Sequence, residues 1–189
     1  IRIHWAPMTA EGIVDANAVR SLLESDPSIA LVSIQWANNE TGAIQPVQEI
    51  ARACLTNPVE RGGPVLFHCD ATQWVGKMPT RLLTEPVIET DLHALHADFV
   101  TFSSHKFHGP KGLGVLWSRP GARFAPMILG EQELGRRGGT ENTAAITGAG
   151  IAASLAEAWL GDPRRVEHGR LLRDRFERGV LAAAIAAGV

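Results

Sequence analysis

A chain of 189 residues, 45% of them hydrophobic, is long enough to bury a core and matches one domain, or one domain plus a fragment. A formal net charge of -2 without a Lys/Arg-rich run leaves no basic field for nucleic acid, and neither a membrane-length apolar run nor a leader-like start in residues 1–20 is read, so the expectation is a soluble, cytoplasmic globule away from membranes. Two cysteines, Cys54 and Cys69, exclude a disulfide framework, and three lysines among eighteen basic residues (Lys77, Lys106 and Lys111) leave few candidates for covalent amine chemistry.

Val19, Leu22 and Leu23 recur at helical spacing after Asp15, predicting a helix over 15–26, and the branched apolar run IALVSIQWA (29–37) predicts a strand. Pro46 opens a second helix carrying Val47, Ile50, Ala51 and Cys54, and PVLFHCD (64–70) reads as a second, buried strand. Residues 80–96, with Pro86 and two histidines, read as a surface excursion. ADFVTFSS (97–104) and GVLWS (114–118) are two further strands. The run TENTAAITGAGIAASLAEAWL (140–160) is helical in pattern but nearly all small or apolar, which predicts a helix buried on most sides, at a subunit contact. Asp162 and Pro163 then cap a long, charged amphipathic helix reaching about residue 187. Strands alternating with helices predict an α/β sheet with helices on both faces and ligands at the carboxyl ends of the strands.

Three polar clusters fall at predicted strand ends and are expected to line one cleft: Asn38-Asn39-Glu40, Asp70-Ala71-Thr72-Gln73 and Ser103-Ser104-His105-Lys106. A lysine at the end of an apolar strand is costly to desolvate as an ammonium, which favours a lowered pKa and an amine able to form an imine; the alternative is a lysine snorkelling to the surface. Lys106 is that lysine. Asp70, at the end of a neighbouring strand, can keep a pyridine nitrogen protonated so that the ring acts as an electron sink, and lysine with aspartate is the pyridoxal-phosphate (PLP) pairing. Taken alone, Asp70 reads equally as a helix N-cap, and Gln73 is either a donor to the ring's phenolic oxygen or an ordinary turn residue. Ser103, Ser104 and His105 offer hydroxyl and imidazole donors, and Thr140 is expected to begin a helix after Gly138-Gly139, so a phosphate fits at either place. GPKGLG (109–114) lacks the ending of a nucleotide loop and reads as a tight turn beside the site. His93, His96, His105 and His108 have no metal-ligand spacing, so no metal site is expected.

WANNETGAIQPVQEIA (36–51), FHCDATQWVGKMP (67–79), DFVTFSSHKFHGPKGLGVLW (98–117) and GRRGGTENTAAITG (135–148) resemble, in order, the signature segments of cysteine desulfurases, which are class V aminotransferase-like enzymes. The resemblance implies the large domain of a fold type I PLP transferase, a mixed and mostly parallel sheet flanked by helices. Residues 1–161 would be part of that domain, and 162–189 a long helix leading to a small C-terminal domain that is not in this sequence. It further implies Lys106 as the Schiff-base lysine, Asp70 on the pyridine nitrogen, Gln73 on the phenolic oxygen, and Asn39 on the cofactor or the substrate carboxylate. Ser103 and His105 would hold the phosphate, with Thr140 reaching the phosphate of a second subunit in a homodimer. The implied reaction converts L-cysteine to L-alanine, leaving sulfur as a persulfide on an enzyme cysteine for a sulfur-acceptor or scaffold protein, as in iron–sulfur cluster assembly. A selenocysteine lyase, another C–S lyase, or a non-catalytic fragment of the fold would share most of these residues.

Several family features have no counterpart here: the N-terminal phosphate turn and ring-stacking residue, the persulfide cysteine loop, and the substrate-carboxylate arginine. Cys54 falls within a predicted helix and Cys69 within a predicted strand, so neither matches the family's nucleophile. Glu131 stands where the family has glycine, and 80–96 is longer than the usual connection.

Overall fold

The structure is a computed structural model that describes residues 1–57, 63–83 and 94–188. α1 (Ala16–Ser25) begins where Asp15 caps it, Oδ1 accepting the N–H groups of Asn17 and Ala18, and its Val19 and Leu23 turn inward. β1 (Leu31–Gln35) follows, then α2 (Val47–Thr56) with Pro46 at its N-cap, then β2 (Leu66–Asp70). β3 (Arg81–Leu83) and β4 (Ala94–His96) pair in parallel, and β5 (Phe99–Ser103) leads through a 3-10 turn (Ser104–Phe107) to β6 (Gly114–Ser118). A kinked turn α3 (Gln132–Gly135) and two helices, α4 (Thr143–Leu160) and α5 (Pro163–Ala186), complete the order.

The main sheet runs β1-β2-β5-β6, with the first three strands parallel and β6 antiparallel to β5. This is the expected mixed, mostly parallel arrangement. Because successive side chains alternate between faces, Phe67, Cys69 and Val100 point to one side, where they are buried in a core that includes Val47, Ile50 and Cys54 of α2. Register places Leu31, Ser33 and Gln35 beside Leu66, His68 and Asp70 on the opposite face, which is half-buried or exposed. The strand ends that emerge from this sheet carry the polar clusters.

At the amino end of β5 a buried carboxylate joins three strands. Asp98 Oδ2 accepts the Phe67 N–H at 2.8 Å, and its Oδ1 accepts two donors of Arg119, Nε at 3.2 Å and Nη2 at 2.6 Å. Arg119 follows β6, so β2, β5 and β6 are tied at one point.

Two expectations are corrected. The segment 80–96 is not simply a surface excursion: β4 is wholly buried, because pairing with β3 and contact with α2 carry Ala94, Leu95 and His96 inward, while Pro86 and His93 lie outside the described residues. α4 starts at Thr143, with Asn142 Oδ1 accepting the Ala145 N–H at 3.1 Å, and Thr140 lies three residues before it. Within this chain α4 buries only Ala145 and Ala152, packs on the 3-10 turn and α5, and leaves Ile146, Ile151, Leu155 and Trp159 facing outward. By length and composition α4 is the one helix among the described residues able to cross a membrane, although no such run was read from the sequence.

Candidate active site

The carboxyl ends of β1, β2 and β5 converge on an open pocket of about 250 Å³ lined by Gln35, Ala37, Asn39, Asp70, Thr72, Gln73 and Lys106. Each end is shaped by a local turn. After β1, Asn38 spends its own side-chain oxygen on the N–H groups of Glu40 and Thr41, at 2.8 and 2.9 Å, and Asn39 is left to the pocket. After β2, Asp70 Oδ1 accepts the Thr72 N–H at 2.9 Å, while Oδ2 has no hydrogen bond among the described residues. No helix follows Asp70, so it is not an N-cap, and its Oδ1 is spent on a local turn.

Two glycines set how closely these turns approach. Gly76, at φ +78°, lies so near the 3-10 turn that a Cβ would sit 2.5 Å from Phe107 Cβ, and a Cβ on Gly109 would sit 2.7 Å from that of Ser104. The 109–114 stretch is thus the tight turn expected, with the Gly109 N–H bonded to the Ser104 carbonyl at 2.9 Å. Beneath the pocket, Trp36 and Trp74 stack at 4.5 Å with their planes 3° apart, both buried. Since Trp36 lies between Gln35 and Ala37, and Trp74 follows Gln73, the stack fixes two walls at once.

Lys77 Nζ donates to Gln73 Oε1 at 2.5 Å, which leaves the Gln73 amide NH₂ as the end free to donate. Partial burial, and then the neighbouring Lys106 charge, push the Lys77 ammonium below its ordinary range. Lys106 itself lines the pocket and is exposed within this chain.

Of the predicted site residues, Asn39, Asp70, Gln73 and Lys106 meet in the pocket. Ser103 ends β5, half-buried, and His105 is exposed in the turn beside Lys106; neither lines the pocket. Thr140 is exposed and also lies outside its lining. Ser104 is spent on structure, its hydroxyl donating to the Pro110 carbonyl at 2.8 Å. Thr72, part of the second polar cluster, lines the pocket as expected, and Gln35 and Ala37 line it without having been singled out. Gln35 could have been found as the polar residue closing an apolar strand. Among the described residues no group of three or more His, Cys, Asp or Glu side chains comes together as a metal site would require. Cys54 and Cys69 are buried on the closed face; burial pushes the Cys54 thiol up to about 12 and raises that of Cys69 as well, so neither is a ready thiolate.

An amine, a carboxylate with an unspent oxygen and an amide donor around one pocket form a donor set for a molecule carrying a carbonyl carbon, a basic ring nitrogen and a phenolic oxygen. Residues 1–180 match the aminotransferase class-V family, and the chain belongs to that family, whose enzymes depend on PLP. It is 44% identical over 185 residues to a cysteine desulfurase of Cereibacter sphaeroides, covering 96% of this chain and 41% of that protein. It is 40% identical over 181 residues to the cysteine desulfurase NifS of Azotobacter vinelandii, covering 95% and 40%. Among solved structures a NifS-like protein superposes with a TM-score of 0.77 at 34% identity, covering 95% of this chain and 44% of the other. The chain thus spans about two fifths of the length of the curated relatives it matches.

Proposed function

We propose that the protein to which this chain contributes is a PLP-dependent cysteine desulfurase, and that this chain supplies most of the cofactor's polar contacts. The observation that carries the reading is the convergence of Lys106, Asp70, Gln73 and Asn39 on one pocket. The net reaction balances as L-cysteine plus an enzyme thiol giving L-alanine plus an enzyme persulfide. The substrate's Cβ–S bond breaks and a new S–S bond forms. The enzyme thiol is neither Cys54 nor Cys69, because both are buried with raised pKa values.

When bound, the cofactor supplies an electron sink for the charge developed at the substrate Cα. Lys106 Nζ would hold it covalently, and as a free amine would carry protons at the substrate carbon. Asp70 Oδ2 would accept a hydrogen bond from the protonated ring nitrogen, and its negative charge would keep that nitrogen cationic. Gln73, oriented by Lys77, donates its amide N–H to the phenolic oxygen, and Asn39 meets the cofactor or the substrate carboxylate. Ser103 and His105 both precede Lys106 at the strand-to-turn junction and would take the phosphate. Thr140 reaches the phosphate of a second subunit in a homodimer, a reading supported by the apolar Ile146, Ile151 and Leu155 that α4 leaves exposed. A desulfurase of this kind would hand its persulfide sulfur to a sulfur-acceptor or scaffold protein, which is the partner of this reading.

The test is Lys106→Ala in the full-length protein. The wild type is expected to show a visible absorbance band from covalently held cofactor, and the variant to lose it while keeping its far-ultraviolet circular dichroism. Survival of the band in Lys106→Ala would overturn the assignment.

A further inference from the structure

His68 lies two residues before Asp70 on the same face of β2 and has no part in the chemistry above. Both of its ring nitrogens are engaged. Nδ1 is 2.8 Å from Ser33 Oγ on β1, and Nε2 is 3.0 Å from Thr101 Oγ1 on β5. Ser33 is the register partner of His68, and Thr101 is the register partner of Asp70. One ring therefore bridges three parallel strands, one step beneath the ends that supply Gln35 and Asp70 to the pocket. Parallel strands have no hairpin to hold their relative register, so a side-chain bridge at this level bears on where the Asp70 carboxylate comes to rest.

The charge of the ring matters as much as its position. His68 is half-buried, and desolvation lowers its pKa against the opposing pull of the Asp70 charge. Asp70 makes no ion pair among the described residues, and its Oδ2 is unbonded. An imidazolium at position 68 would supply a counter-charge from below and compete with any cation arriving from the pocket.

We propose that His68 is a positioning residue for Asp70: its ring braces β1, β2 and β5 beneath the pocket without adding positive charge, so that the Asp70 carboxylate is kept for the cationic ring nitrogen of the cofactor. This rests on the reading of Asp70 under Proposed function.

The experiment measures the dissociation constant of PLP, by titration of the visible band, in full-length protein. His68→Leu removes both hydrogen bonds and is expected to weaken binding about 10-fold. In His68→Gln an amide can donate to one hydroxyl and accept from the other, and binding is expected to return to within about 3-fold of the wild type. A Gln variant as weak as Leu overturns the brace. His68→Lys places a cation beside Asp70 and is expected to weaken binding about 10-fold, but less than about 3-fold when introduced into Asp70→Asn, where there is no carboxylate to compete for. Equal losses in the two backgrounds, or no loss in either, overturn the electrostatic half. Absence of a visible band in the wild type would sink the cofactor reading and this inference with it, whereas a normal wild-type band with equal losses sinks the inference alone.

Discussion

The two ends of the central sheet each carry an aspartate, and the two are used in opposite ways. At the amino end Asp98 is buried with both oxygens bonded, to the Phe67 amide and to Arg119. At the carboxyl end Asp70 spends one oxygen on its own turn and turns the other toward an open pocket. A satisfied buried carboxylate holds strands together, because breaking it leaves a half-buried cation and a buried amide without partners. A carboxylate left partly unsatisfied contributes little to stability and keeps its binding energy for a ligand. The same contrast separates the thiols from the amines: Cys54 and Cys69 face the closed core, while Lys77 and Lys106 stand at the open end.

The contrast breaks most visibly at Asp70. Asp70→Asn in the full-length protein keeps an oxygen for the Thr72 N–H but removes the charge, so the proposed desulfurase turnover is expected to fall roughly 10²–10³-fold, while stability changes by less than about 0.5 kcal/mol. Steady-state alanine production and urea unfolding read the two effects, and a large stability loss with turnover intact would invert the assignment. Asp98→Ala is the mirror image. It strands Arg119 and the Phe67 N–H and is expected to cost about 3 kcal/mol, near the low end for a broken buried pair because Arg119 is partly exposed. Urea unfolding measures this, and the cofactor absorbance per folded molecule is expected to stay unchanged.

How well each end could be read from the sequence follows from how local its signals are. Asn39, Asp70, Gln73 and Lys106 each stand where an apolar run stops, so the strand-end rule and the residue types were enough to place them together. The His68 bridge was not legible, because it depends on which strands are neighbours and in what register, and Ser33 and Thr101 are 35 and 33 residues away in sequence. The Asp98 tie was missed for the same reason. β3 and β4 are three residues each, too short to show alternation. Thr140 was placed one turn early because Asn142, three residues before Ala145, is the residue that caps the helix.

The thiols give a smaller effect, visible as a pH dependence. Both pKa values are raised in the folded chain, so the unfolded state releases these protons first as pH rises. Stability from this source is complete below the ordinary thiol range and is expected to fall above about pH 9, by about 1.4 kcal/mol per pH unit for each thiol. Urea unfolding at pH 8 to 10 reads the slope, and Cys54→Ala is expected to reduce it by one thiol's share. An unchanged slope would mean that Cys54 is not held protonated in the core.

The smallest effect sharpens what kind of contact holds the amino end. Arg119 places two donors on a single carboxylate oxygen, and a lysine there would keep the charge but supply one compact donor on a flexible stem. If geometry carries the tie, Arg119→Lys loses about one hydrogen bond's worth of stability, ~1 kcal/mol, well short of Asp98→Ala. If charge alone carries it, the lysine variant unfolds at the wild-type urea concentration. A loss as large as that of Asp98→Ala would place the strain elsewhere, in the Arg119 backbone N–H that bonds the Asp98 carbonyl at 2.9 Å, and the two substitutions would then no longer report on one contact.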